Sequence, residues 1–400
     1  MRYKMTIEPL TFIHIGSGNE MDPFTYNMGN GKFYRIDIGK FYGKLKNEEH
    51  RNEFNSIINE LSNIDSSKDK DKFIKAKTKF RDFILRGINT LEKYPEKQKG
   101  IILYTGDVDK SLYEKYKENI DNFENQLLIF ESMHRLPDFA QYIPGSSIKG
   151  AIRTAMISYI INTLGFERKD FPFEERNNRD YQKNPGRSCE GDILRYRIFN
   201  DKYKTEIQKD PFRVLQITDT EPFARDSLII SETKNFGMKT KSPLKLQIIC
   251  EYIKSNSKSS FEININDKLL FSNFDAVEKE SKFMNGKGTV KFSDLFHIKK
   301  IAEACNLFYK QKLKDEYNNY FNKINGYKIA CKDEIESAVD SSKNEFLIRI
   351  GRFSQFESVT LDKLRSKNNI FNSRMLVLFN DKYYPAGWAK VKWEEINSKK

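Results

Sequence analysis

The segment YIPGSSIKGAIRTA (residues 142–155) decides the fold hypothesis, because it couples a glycine-bearing turn to an apolar helical pattern. Pro144 and Gly145 favour a turn, and either serine after Gly145 is a suitable N-cap for a helix. From Ser147 to about Leu164, apolar residues recur at helical spacing. We therefore predict a loop that leads directly into a helix.

The same segment resembles the phosphate loop of nucleotide hydrolases only in part. Gly145 and Gly150 have the required spacing, but Ala151 and Ile152 stand where that loop needs Lys and then Ser or Thr. The ammonium group and the metal-binding hydroxyl are therefore missing, and the sequence disfavours nucleotide hydrolysis.

Two cations lie near the start of the predicted helix. Lys149 and Arg153 are one turn apart and so project from the same face. Cations near a helix N-terminus are unfavourable for the helix alone, but a phosphate between them and the free N–H groups would be held well. We predict a cradle for a nucleic-acid backbone, formed with Ser146 and Ser147. The alternative is a capped surface helix with incidental cations.

The composition favours a polyanionic partner. The 400 residues include 69 Lys and Arg against 56 Asp and Glu, a net charge of +13. Such an excess suits a nucleic acid, although a lysine-rich solvated surface gives the same balance. The four cysteines are widely spaced and no apolar run has membrane-spanning length. We expect a soluble cytoplasmic protein that contacts no membrane and needs no metal or other cofactor.

A second glycine motif follows the first predicted strand, which reads MTIEPLTFIHIG. Gly16, Ser17 and Gly18 form a loop that would let an RNA backbone approach closely. The motif fails the dinucleotide-binding fingerprint, because Met21 stands at the position of the third glycine.

A third motif, LIRIGRFSQFESVT, lies at residues 347–360. Arg349 and Arg352 flank Gly351, and aromatic side chains follow. Arginine beside aromatic rings suits phosphate contact combined with base stacking. An ordinary strand with exposed arginines is the alternative.

Strands and helices are mixed along the chain without strict alternation, which predicts an α+β fold. Residues 1–165 form the expected N-terminal domain, with a helical insertion at about 47–123. A basic linker or insertion over 166–206 precedes a second domain at 207–400, which contains a helical block at about 292–339.

Few residues suggest hydrolytic chemistry. The four histidines are scattered, and neither an HExxH motif nor a nucleophile elbow occurs. His14 could act as a base, but a lone histidine on a strand is more often structural. We expect no catalytic residues and no metal site.

The motifs HIGSG and PGSSIKGAIRTA together resemble the RAMP superfamily of CRISPR-associated proteins. Three further motifs narrow the likeness to the Csm-type RAMP subunit of type III-A effector complexes. They are FRVLQITDT, LIRIGRFSQFESVT and SRMLVLFNDKYYPAGWAKVKW. The resemblance extends from near the N-terminus to Trp388. The element PAGWA departs from the family pattern, in which leucine is expected after the proline.

The resemblance implies two ferredoxin-like (RRM-like) RAMP domains with helical insertions. It further implies an RNA-binding subunit that caps the 3′ end of the crRNA and contacts the neighbouring backbone RAMP subunit. Target RNA is a further expected partner, and the subunit is expected to assist 3′ maturation by helping to recruit host nucleases. The RNA-contacting residues that the resemblance implies are Gly16, Ser17, Gly18, Gly145, Ser146, Ser147, Lys149, Arg153, Gly351 and Arg352. Arg349 is added to them because it flanks Gly351 in the third motif.

Two other functions stay open at this point. One is a metal-independent RAMP endoribonuclease that uses His14 as general base on CRISPR repeat RNA. The other is a sister RAMP subunit that caps the 5′ handle of the crRNA.

Overall fold

The computed structural model describes the chain apart from residues 46, 66–67, 93–99, 119–126, 172–188, 192, 195–207, 209, 238–241, 270–291, 325, 331, 366–372 and 397–400. The strands are β1 (Arg2–Pro9), β2 (Gly16–Met21), β3 (Tyr26–Gly29), β4 (Lys32–Ile36), β5 (Ile102–Val108), β6 (Ile129–Ser132), β7 (His134–Arg135), β8 (Ala140–Gln141), β9 (Leu215–Ile217), β10 (Leu228–Gly237), β11 (Ser242–Ile253), β12 (Ser259–Ile265), β13 (Glu345–Arg349), β14 (Ser373–Phe379), β15 (Lys382–Pro385) and β16 (Trp388–Glu395). The helices are α1 (Ile38–Gly43), α2 (Glu48–Asn63), α3 (Lys70–Glu92), α4 (Lys110–Glu118), α5 (Gly145–Leu164), α6 (Phe292–Leu295), α7 (Ile298–Asn319) and α8 (Lys332–Glu336).

The first sheet has five antiparallel strands in the order β13-β16-β1-β12-β9. Helix α5 lies in the chain between β1 and β9, and helix α7 lies between β12 and β16. The order β16-β1-β12-β9 with these two crossovers is that of a ferredoxin-like domain, to which β13 is added at one edge. The α+β fold predicted from the sequence is confirmed.

The largest core lies between this sheet and helices α5 and α7. Alternate residues of β1, namely Tyr3, Met5 and Ile7, are buried, as expected for a strand covered on one face. Helix α5 buries Ile148 and Ile152 against them, and α7 packs across both α5 and β13. The helix predicted from the opening motif is therefore central to the fold.

The second sheet is mixed and larger, with nine strands. Its centre is the long antiparallel hairpin of β10 and β11, and the order along the sheet is β2-β6-β11-β10-β5-β4-β3. Strand β14 shares one edge of β10 with β5, and β15 extends β14. Strand β7 pairs only with β8 in the described part of the chain.

The predicted helical insertion contains α2, α3 and α4, but strand β5 also lies within it and pairs with β4 and β10 of the second sheet. Helices α2 and α3 pack together over β4 through an aromatic cluster that includes Phe54, Phe80 and Phe83. Their apolar periodicity was visible in the sequence, and the bounds agree with it. No helix among the described residues is both long and apolar enough to cross a bilayer.

Strand pairing interleaves the two halves of the chain. Strand β1 lies between β12 and β16, and β6, before the predicted linker, pairs with β11 after it. Both sheets therefore draw strands from 1–165 and from 207–400, and neither is built from one of these segments alone. Most of the predicted linker at 166–206 lies outside the described residues.

Candidate nucleic-acid interface

Two of the predicted RNA-binding loops meet, although they are at opposite ends of the chain. The backbone N–H of Arg352 donates to the carbonyl of His14 at 2.9 Å. Gly351 has a φ of +85°, and a Cβ at this position would lie 2.5 Å from the same carbonyl oxygen. Glycine is therefore required both by the left-handed backbone and by the close approach.

Arg352 is the exposed cation of this junction. Its guanidinium carbon lies 3.8 Å from the ring centroid of Phe130, on β6, and 5.2 Å from that of Phe353. The ring of Phe130 holds one face of the guanidinium in place, and the N–H groups at the edge of the guanidinium stay available for hydrogen bonds to a phosphate. This arrangement agrees with phosphate contact beside aromatic rings.

The first glycine motif forms the start of β2 rather than a free loop. Gly16 pairs with Ser132 of β6, and the register shifts before Glu20, so the ladder is interrupted at Ser17 and Gly18. The hydroxyl of Ser17 donates to the carbonyl of Glu131 at 3.2 Å and accepts from the N–H of Asn19. These residues therefore lie at the edge of the second sheet, only a few positions after His14, whose carbonyl binds the N–H of Arg352.

His14 is buried beneath the junction and has no exposed surface. Its Nδ1–H donates to the carbonyl of Glu251 at 2.8 Å, and Nε2 lies against Gly16 without a hydrogen-bond partner among the described residues. Burial outweighs the nearby Glu251 and lowers the pKa of His14 to about 4. The imidazole is thus neutral and closed off from solvent.

The start of helix α5 differs from the prediction. The N-cap is Pro144, and neither serine caps the helix; instead the N–H of Gly145 donates to the Asp219 carboxylate at 2.8 Å. A Cβ at Gly145 would lie 2.4 Å from the carbonyl oxygen of Ile217. The motif FRVLQITDT therefore wraps the turn closely, and its Asp219 carboxylate binds one of the N–H groups that were predicted to hold a phosphate. Ser146 is exposed and Ser147 half-buried beside this turn.

Lys149 and Arg153 share a face of α5, as predicted, but both bind protein groups. The ammonium of Lys149 donates to the carbonyl of Leu215 at 2.7 Å, and burial lowers its pKa. Arg153 binds Glu190 at 2.9 Å and Asp210 at 2.8 Å and stacks on Phe212. Burial lowers the pKa of Arg153, but the two carboxylates outweigh it and raise the pKa. In this structure the pair fastens α5 to β9 and its preceding segment.

Arg349 is likewise a buried residue. Its guanidinium binds Glu316 of α7 at 2.8 Å and the carbonyl of Ala386 at 3.0 Å, and it lies over the ring of Trp388. Only 2% of its side chain is exposed. Of the two arginines predicted to contact RNA around Gly351, only Arg352 is exposed.

The sequence did not predict a buried polar cluster around Glu251. This carboxylate accepts hydrogen bonds from Tyr104 at 2.9 Å, His134 at 2.8 Å and the N–H of Ser132 at 2.7 Å. Burial lowers the pKa of His134, but the hydrogen bond and charge of Glu251 outweigh it and raise the pKa. In the sequence, the only sign of this cluster is that the charged residue Glu251 interrupts an apolar strand, IICEYI.

Comparison with known families decides the class of the protein. The RAMP superfamily model matches residues 6–356, which include the first two glycine motifs and residues 347–356 of the third. The chain belongs to the RAMP superfamily. Both the recognition and the fold class predicted from the motifs are confirmed.

Two curated relatives of this RAMP protein are Csm5 proteins. It is 24% identical over 271 residues to Csm5 of Streptococcus thermophilus and 25% identical over 297 residues to Csm5 of Methanocaldococcus jannaschii. The matches cover 65% and 69% of this chain and span 63% and 57% of the relatives' own lengths. The predicted likeness to the Csm type agrees with these relatives.

Solved structures share the fold of this RAMP protein over almost its full length. A chain of the Csm–crRNA–target RNA ternary complex of a type III-A system matches with a TM-score of 0.60 at 19% identity, covering 98% of this chain and 100% of that one. Csm5 of T. onnurineus matches with a TM-score of 0.61 at 17% identity, over 96% and 99%. Which residues contact RNA stays a prediction.

Proposed function

We propose that this protein is an RNA-binding structural subunit of a type III-A CRISPR effector complex and acts in antiviral defence. The observation that carries the proposal is the junction of the two glycine-bearing loops, where Arg352 is exposed and held against Phe130. The junction lies within the RAMP match, and the net charge of +13 favours an RNA partner.

Within such a complex, the chain caps the 3′ end of the crRNA and lies next to a backbone RAMP subunit and target RNA. Support comes from the Csm5 relatives and from the fold shared with a chain of the crRNA-containing complex. Assistance in 3′ maturation, with host nucleases as partners, belongs to the same proposal and rests on the family resemblance alone.

We also propose that the subunit is not a nuclease. A general base must reach the attacking 2′-hydroxyl within hydrogen-bond distance. His14 is fully buried and donates its Nδ1–H to a backbone carbonyl, so it does not reach a bound RNA in this conformation. Incubation of the pure protein with labelled repeat RNA checks this directly; defined cleavage that His14→Ala abolishes would overturn it.

The RNA-binding proposal predicts a specific effect of Arg352→Ala. Loss of one phosphate contact should weaken RNA binding and reduce the slope of log affinity against log salt by roughly 0.7–0.9. Filter binding of labelled crRNA across a salt series measures both. Arg51→Ala, which removes an exposed arginine from the helical insertion, is the matched control and should leave the slope unchanged. An unchanged slope in Arg352→Ala would refute the phosphate contact.

The double variant Lys149→Ala, Arg153→Ala tests whether the predicted cradle at the start of α5 contacts RNA. Because both side chains bind protein groups, we expect its main effect on the free energy of unfolding, with little change in the salt slope. A much smaller slope of log affinity against log salt, without a loss of stability, would instead show that the start of α5 contacts RNA.

The position along the crRNA is tested by crosslinking in the assembled complex. Labels at either end of the crRNA distinguish a 3′ cap from a subunit on the 5′ handle. Crosslinks restricted to the 3′-labelled end are expected, and crosslinks at the 5′ handle would favour the sister-subunit alternative.

A further inference from the structure

A cleft of about 530 Å³ lies between β5, the segment that leads into α5, and the start of β10. Its lining includes Tyr104, Phe139, Gln141 and Leu228, with Lys40 and Arg225 at the rim. This volume is within the range of ordinary small-ligand sites, which are apolar with a few polar groups.

Gln141 is the polar group that distinguishes this cleft. The residue is only 3% exposed, yet neither its amide nitrogen nor its amide oxygen has a hydrogen-bond partner among the described residues. A buried amide without partners is costly, so such groups are rare in a folded core. Both amide atoms are inaccessible to solvent in this conformation, so a ligand that presents a donor beside an acceptor would satisfy them once the side chain rotates toward the cleft.

The aromatic wall of the cleft is fixed in place. The Tyr104 ring lies 4.6 Å from the ring of His134 and 5.7 Å from that of Phe139, with interplanar angles of 30° and 29°. The Tyr104 hydroxyl donates to Glu251, so the stack is anchored from below. Phe139 is half-buried and has a φ of +51°, an uncommon conformation for a bulky residue.

The rim carries two exposed cations. Lys40 lies 3.2 Å from Asp37, and Arg225 lies 3.9 Å from Asp138. Exposed pairs of this kind contribute little to stability, so either cation can exchange its carboxylate for a phosphate. The three features match the parts of one nucleotide: the amide suits the edge of the base, the aromatic wall suits its ring face, and the rim cations suit the phosphate.

We propose that this cleft binds a single unstacked RNA base, with Gln141 hydrogen-bonded to the base edge and Phe139 against its face. The inference rests on the proposed RNA-binding function and adds a site that reads base identity to the phosphate contact at Arg352. Free nucleotides share the same chemistry, but only an RNA strand continues from the cleft to further phosphate contacts.

The test uses the full-length protein and labelled hexamers of adenylate, uridylate and cytidylate. The wild type should bind one hexamer about tenfold more tightly than the weakest, a difference of about 1.4 kcal/mol. Gln141→Leu removes both hydrogen-bonding atoms at similar size and should reduce this spread to about twofold. Gln216→Leu, at an exposed position on β9, is the control and should retain it.

A stability measurement excludes a merely structural role for Gln141. Because the amide has no partner, its replacement by leucine should leave the melting temperature unchanged or raise it. A clear fall in melting temperature would show that the amide is bonded within the free protein and would overturn the proposal.

The remaining outcomes separate the site from the function. Equal binding of all hexamers by the wild type, or an undiminished spread in Gln141→Leu, would overturn the base site while leaving RNA binding intact. No binding of any hexamer would instead refute the proposed function. A mononucleotide that competes as well as the preferred hexamer would assign the cleft to free nucleotides; we expect it to compete at least tenfold more weakly.

Discussion

At the scale of single residues, arginines of the same motif have different roles because of burial. Arg349 and Arg352 are three positions apart, yet one binds Glu316 in the core and the other is exposed over Phe130. The sequence shows both charges, but it does not show that α7 packs against the strand on the side of Arg349 and buries only that arginine. The motif therefore did not show which of its two predicted RNA-binding arginines is exposed.

Gly351 offers a test of the junction at this scale. Gly351→Ala meets both a φ of +85° and the His14 carbonyl, whereas Gly18→Ala meets a φ of +90° with no atom within 4 Å. We expect Gly18→Ala to cost about 1 kcal/mol from backbone strain, and Gly351→Ala to cost a further ~1–3 kcal/mol from the overlap. Urea unfolding of the two variants measures the difference. Equal losses would show that the close contact with His14 does not constrain the loop.

At the scale of elements, periodicity predicted most helices and strands. Helices α5 and α7 and strands β10 to β12 lie where their patterns indicated. The failures have local causes. The alternation of side chains in KFYRIDIGKFY (residues 32–42) predicts a single strand, but β4 ends at Ile36 because the Asp37 side chain accepts the N–H of Lys40 and caps helix α1. The apolar residues of FRVLQITDT (residues 212–220) also predict a strand, but the strand is limited to Leu215–Ile217 because a short 3₁₀ turn at Pro211–Val214 precedes it.

The candidate site was less predictable than these elements, because its partners come from distant segments. Helical spacing placed Lys149 and Arg153 on one face, but it did not reveal that Leu215, Glu190 and Asp210 would be there to bind them. Glu251 was likewise visible in an apolar strand, while His134 and Tyr104, which bind it, are more than one hundred residues away.

Two histidines that bond Glu251, His14 at its carbonyl and His134 at its carboxylate, should give opposite pH dependences. The pKa of His134 is raised above 6.5, so its stabilising pair with Glu251 is fully present below pH 6.5 and is lost as pH rises through the raised value. The pKa of His14 is lowered to about 4, so its contribution is present above pH 6.5 and is lost as pH falls towards 4.

Denaturant unfolding between pH 4.5 and 8.5 measures this contrast. His134→Gln should lose about 1–3 kcal/mol at pH 6, and its deficit should shrink at high pH. His14→Gln should remove the fall in stability below pH 6.5, and each variant is the control for the other. Deficits that do not vary with pH would contradict the assigned protonation states.

At the scale of the whole molecule, strand order follows neither chain order nor the predicted domain boundaries. A sequence pattern shows that β1 alternates between buried and exposed residues, but not which strands lie beside it. Its neighbours, β12 and β16, both come from the second half of the chain. Such long-range pairing has no local signature, since it depends on how the crossovers through α5 and α7 pack.

Separate expression of residues 1–165 and 207–400 tests this interleaving. The first fragment would expose Tyr3, Met5 and Ile7 of β1 and leave both edges of that strand unpaired, while the second would lack the strand that joins β12 to β16. We expect neither fragment alone to show a cooperative thermal transition, because a split sheet loses both its ladders and its core. Co-expression should restore a complex that unfolds cooperatively, since all paired strands are then present. Two fragments that each fold cooperatively in isolation would show that the ferredoxin-like sheet does not depend on strands from both halves of the chain.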